Sequence, residues 1–286
     1  MAVTADLSPV LDWHPHADVW IAVAVLAGGY AWAVRKRDHA SGRPVVSGTR
    51  IATYYAGVLL LWLAADWPLH DLAEESSFSV HMVQHLLLTF VVPPLLLLGV
   101  PTWLWRWLFK PTWVFRAARF LTRPLVALIL FNATIAITHW PLLVNSSVES
   151  VPLHLAIHWG LVATALFMWW PVVAPLPELA SLSEPAKMFY LFLQSILPTV
   201  PASFLTFAGD PVYDVYVGMP HLFGMSTVVD QQISGLIMKI GGGLLLWSVI
   251  AFLFFKWNAS EEAGGREEEV PWEDFESELE AWDLRR

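Results

Sequence analysis

The chain has 286 residues, of which 56% are hydrophobic and only 14% charged, with a formal net charge of -9 and no cysteine. Soluble domains carry about 25% charged residues, so this chain has too few to clothe a water-facing surface and reads as an all-α integral membrane protein. Without thiols there are no disulfides, iron–sulfur clusters, thiolate zinc sites or nucleophilic cysteines, and any metal must be held by His, Met or oxygen.

Bilayer-crossing helices need about 17–25 apolar residues. In chain order the candidates are Val19–Val34, Ile51–Ala65, Val80–Leu98, Pro124–Trp140, Pro152–Val173, Met188–Ala208 and Gln231–Phe255. That predicts a bundle of about seven transmembrane helices, since a lipid-exposed backbone must satisfy its own hydrogen bonds. Pro93-Pro94 falls inside the third span and is expected to kink it or shorten its regular part. Gly241-Gly242-Gly243 lies in the seventh, where small residues permit close helix packing. The N-terminal residues lack a basic run and a cleavage site, so the first span is expected to act as the insertion signal.

Basic residues in short loops set the orientation. Arg35, Lys36, Arg37, Arg43 and Arg50 follow span one, while Arg106, Lys110, Arg116, Arg119 and Arg123 follow span three. The alternate loops carry acids and no Lys or Arg, so the N-terminus is expected outside and the C-terminus in the cytoplasm of a bacterial cell membrane. After Lys256 there are eleven acids against three bases, whereas up to and including it fourteen acids face thirteen bases. Residues 1–257 therefore read as a nearly neutral membrane domain, and 258–286 as an acidic cytoplasmic tail, disordered or forming a short docking helix. The partner this implies is the bilayer, not nucleic acid.

Nine of the ten histidines fall at or near the outer face: His14, His16, His70, His81, His85, His139, His154, His158 and His221. His81/His85 and His154/His158 each have the four-residue spacing that stacks two side chains on one helix face, with Cβ atoms about 5–6 Å apart. One such pair is as compatible with packing as with ligation. Two pairs at similar depth, with His139 at the outer end of span four, point to a site for one or two metal ions. Imidazole suits Zn and Cu, and the thioethers of Met82, Met219 and Met225 favour Cu(I), although each Met taken alone reads as core filler. His70 and His221 sit in loops and are further candidate ligands. Asp71, Asp230, Gln231 and Gln232 are placed to orient ring nitrogens. His14 and His16 read first as solvated residues of an acidic arm, although such an arm could capture metal weakly. Lys239, inside the seventh span, needs a carboxylate, a wet cavity or a route to the interface.

The run Ser79-Val80-His81-Met82-Val83-Gln84-His85-Leu86, followed by Pro93-Pro94-Leu95-Leu96-Leu97-Leu98-Gly99-Val100-Pro101, resembles the polytopic cytochrome c oxidase assembly factor family called CtaG. Thr138-His139-Trp140-Pro141, His154-Leu155-Ala156-Ile157-His158 and Asp230-Gln231-Gln232-Ile233-Ser234-Gly235-Leu236-Ile237-Met238 are similar too, and the likeness runs from about Trp67 to Trp257. An unrelated single-span copper chaperone of the same name uses cysteines, which this chain lacks. The resemblance implies a non-enzymatic role in building haem-copper oxidase, with copper as cargo, delivered to the CuA centre of subunit II or through other oxidase subunits and assembly factors. Lys239 and the acidic tail depart from the family pattern. The residues alone leave open a membrane metalloenzyme or haem protein using the same histidines, and a metal transporter.

Overall fold

The apolar runs fold into helices throughout, and no strand occurs among the described residues of this computed structural model, 15–75, 77–219 and 224–268. Helix α1 (Ala17–Ser41) ends where Gly42 takes a left-handed φ of 67°, a conformation that closes the last turn without a Cβ clash. Helix α2 (Gly48–Ala65) starts on Ser47, whose hydroxyl accepts from the Arg50 N–H. After the short α3 (Leu69–Glu75), α4 (Phe78–Leu86) and α5 (Val92–Gly99) form one 22-residue stretch, Phe78–Gly99.

A single π-turn, Leu87–Val91, joins α4 to α5. Pro93 has no N–H to donate to the carbonyl of Thr89 four residues back. That freed carbonyl accepts the indole N–H of Trp169 at 2.9 Å, so a partner 80 residues away lets the proline sit inside a continuous span.

Next come α6 (Thr102–Leu108) and α7 (Thr112–Leu121), and α7 meets α8 (Pro124–Thr138) at 76°. Helix α9 (Pro141–Glu149) leads into α10 (Val151–Val173). Helices α11 (Glu184–Ile196) and α12 (Thr199–Phe207) follow one another in one stretch. Helix α13 (Thr227–Leu236) passes through a second π-turn, Ile237–Gly241, into α14 (Gly242–Glu268).

Among the described residues, five stretches are long and apolar enough to cross a membrane: Ala17–Ser41, Phe78–Gly99, Val151–Val173, Glu184–Phe207 and Thr227–Glu262. The bent α7–α8 pair makes a sixth if it counts as one span. The expected second span, α2, is not among them, because Arg50 and two tyrosines dilute its apolar run. The last helix runs beyond Phe255 to Glu268, so the segment expected as a tail from Asn258 begins as helix; residues 269–286 lie outside the described part.

Two apolar cores flank α10, with Leu161 in one and Val162 in the other. Helix α1 is pinned by tyrosines: Tyr54 and Tyr55 donate to the Leu26 and Ala27 carbonyls, and Tyr30 donates to that of Gly99. A Cβ on Gly99 would lie 2.5 Å from the Tyr54 backbone, and one on Gly235 would lie 2.6 Å from the Ala202 carbonyl. Both glycines are sites where backbones meet. Gly241 and Gly242 face Leu86 and Phe90 closely, as expected for small residues at a helix contact.

Candidate metal centre

Helices α3, α4 and α10, the residue ending α8 and the segment before α1 deliver seven histidines to one place. Within α4 the rings of His81 and His85 lie 4.2 Å apart between centroids, and within α10 those of His154 and His158 are also 4.2 Å apart. Between the two helices His158 lies 5.1 Å from His85 and 5.6 Å from His81. His70 reaches across from α3, 5.6 Å from His154 and 5.9 Å from His158. His139 stands 6.1 Å from His85.

Among the described residues, two triads have one ligand nitrogen per residue all within 4.8 Å of one another: His70–His154–His158 and His81–His85–His158. Metal–imidazole bonds of about 2.0–2.1 Å place neighbouring ligand atoms about 3.4 Å apart, a contraction that modest ring rotations supply. The nitrogens themselves fit the role. Nδ1 of His81, both nitrogens of His85, Nε2 of His139 and Nε2 of His158 are buried with no hydrogen-bond partner, an arrangement that costs free energy unless something binds them. His139 is preset for ligation, because its Nδ1 donates to the Ile135 carbonyl at 2.8 Å and leaves the Nε2 lone pair free. A cavity of about 30 Å³ lies against these rings, lined among others by Met82, His85, His139, His154 and His158. It has room for an ion or a water.

The outer side of the cluster is acidic. Glu74 Oε1 lies 3.0 Å from His70 Nε2 and touches His154 Nε2. Burial disfavours the Glu74 anion, yet its contacts with His154 and His70 outweigh this and hold its carboxyl well below the usual range. Burial likewise works against a charged His70, but Glu74 holds the imidazole pKa above its ordinary value. The Gln84 amide donates to the Ala64 carbonyl at 2.7 Å and lies 2.9 Å from His70 Nδ1.

Several placements differ from the sequence-based expectations. His16 is not a solvated arm residue: its Nδ1 lies 3.2 Å from Asp66, its Nε2 3.4 Å from Asp71, and its ring packs 4.4 Å from that of His70. Asp71 thus orients an imidazole, that of His16. Asp230 holds the start of α4, accepting from the Phe78 and Ser79 N–H groups at 2.7 and 3.2 Å and from the Ser77 and Ser79 hydroxyls. Gln231 and Gln232 bind backbone at Val212, Tyr213 and Ala208 in place of ring nitrogens. Met82 lines the cavity and Met219 packs against the core. His14 and His221 lie outside the described residues. Three contributors escaped the sequence reading: His16, Glu74 and Gln84. Only Glu74 carried a usable signal, its four-residue spacing from His70.

No curated protein and no solved structure matches the chain. Residues 28–260 match a family model described as cytochrome c oxidase caa3 assembly factor (Caa3_CtaG), a stretch that contains every clustered histidine except His16. Covering most of the chain, that match places the protein in the cytochrome c oxidase caa3 assembly factor family.

Proposed function

We propose that this assembly factor binds copper at the outer mouth of its helical bundle and passes it to the oxidase, the recipient being the CuA centre of subunit II. The observation that carries this reading is the convergence of buried, unpartnered imidazole nitrogens from α4, α8 and α10. Imidazole with a neighbouring thioether, Met82, suits copper. His81, His85, His154 and His158 are the principal ligands, with His70 and His139 beside them; Glu74 and Gln84 orient His70. The protein's part is non-catalytic: it offers a cargo ion to a partner.

The loops bearing Lys and Arg mark the cytoplasmic side, which leaves the histidines outside, in the compartment CuA faces. Helix α2, at 18 residues, is about 27 Å long and nearly matches a bilayer core of about 30 Å. Counting α2 and the α7–α8 pair, the bundle has seven spans, N-terminus outside and C-terminus in the cytoplasm of a bacterial cell membrane. Residues 1–257 form this membrane domain and 258–286 an acidic extension. A haem reading gains no support at the two histidine pairs, since cavities of about 30 and 40 Å³ against those rings admit an ion and not a porphyrin, and the cavity of about 1070 Å³ nearby is lined by His139 but by neither pair.

Copper content of the purified protein tests the proposal. The wild-type chain is expected to retain copper, and a variant with His81, His85, His154 and His158 all replaced by Gln is expected to lose it. Equal content in the two overturns the site.

A further inference from the structure

The geometry points to one ion using two stations in turn: an outer one of His70, His154 and His158, an inner one of His81, His85 and His158, with His158 bound in both. This rests on the copper-binding reading above and adds a path within the site.

Three observations carry it. The two triads share a single residue, His158, and no other. The buried, unpartnered nitrogen of His158 is Nε2, and in this scheme both stations draw on its one lone pair, so they exclude each other. The rings of His154 and His158 also stand between two separate cavities. One, of about 40 Å³, is lined by His16, Asp18 and His70 together with His154 and His158. The other, of about 30 Å³, is lined by His81, His85 and His139 together with the same two rings and, at its rim, by Glu74. Each station therefore has its own space on its own side of the α10 pair.

The stations differ in chemistry. Glu74 touches both His70 and His154, and the adjoining His16 sits against Asp66 and Asp71. A station ringed by carboxylates attracts a cation arriving from water. The inner triad has His139 Nε2 nearby and the buried Met82 as a wall, a softer set that suits Cu(I). Moving inward, the ion exchanges His70 and His154 for His81 and His85. Two metal–nitrogen bonds break and two form, no electron moves, and the His158 bond persists, so the ion is never released.

The test uses full-length protein in detergent, loaded with Cu(I) under reducing, anaerobic conditions and challenged with a Cu(I) chelator. Wild-type protein is expected to bind one copper per chain; two per chain overturns the shared-ligand scheme without any variant. His158→Gln is expected to lower copper affinity at least about tenfold, and unchanged affinity overturns the scheme. His81→Gln/His85→Gln is expected to keep copper but yield it to chelator at least about tenfold faster, from the outer station. His70→Gln/His154→Gln is expected to load at least about tenfold more slowly and then hold copper as wild type does. If both paired variants load and release at wild-type rates, the relay is wrong. Wild-type protein that binds no copper overturns the copper-binding reading instead.

Discussion

Glu74 holds two imidazoles with one oxygen, and this makes it the residue through which the acidic side of the cluster acts on the histidines. Glu74→Gln removes the charge and keeps the shape. It is expected to slow copper loading by about tenfold to a hundredfold, measured with Cu(I) under reducing conditions, with helix content by circular dichroism unchanged. At this scale the sequence disclosed what lies along one helix. His81/His85 and His154/His158 were legible because a four-residue spacing fixes a shared face. His16 and Gln84 were not: each acts on a residue of another element, His16 on Asp66 and Asp71, Gln84 on Ala64 and His70. Nothing in local spacing encodes such a meeting.

Elements are positioned by a few buried polar and small residues. Asp230 of α13 takes up two N–H groups and two hydroxyls at the start of α4, so it fixes where His81 and His85 enter the site. Asp230→Asn leaves some of these donors without an acceptor and is expected to cost about 1–3 kcal/mol, seen as a lower thermal unfolding midpoint together with faster copper loss. Gly99 is where α5 meets α2. Gly99→Ala drives a methyl group into the Tyr54 backbone and is expected to destabilise by about 1–3 kcal/mol. Gly243→Ala, whose Cβ meets nothing within 4 Å, serves as the control and should unfold as wild type does. The proline pair in the third span shows why element-level reading stops short. Pro93 announced an interruption, but the π-turn and the Trp169 donor that accommodate it depend on where α10 packs.

For the whole molecule, the asymmetry of Lys and Arg predicts a single orientation, and the absence of cysteine makes it directly testable. Glu149→Cys is expected to react with a membrane-impermeant maleimide on intact cells, while Lys110→Cys reacts only after permeabilisation; the reverse pattern inverts the topology. Membrane class, helical architecture, the lateral position of the charges and the two histidine pairs follow from sequence alone, because hydrophobicity and the 3.6-residue repeat act along the chain and need no partner. Helix count was less secure, since α2 carries polar residues that its packing against α1 and α5 accommodates. Only the tertiary structure decided that the two pairs converge, that His70 and His16 join them, that Asp230 serves a helix end, and that His158 stands between two cavities. The physical reason is that a metal site is a set of distances between elements, and those distances are set by which faces the helices bury against one another.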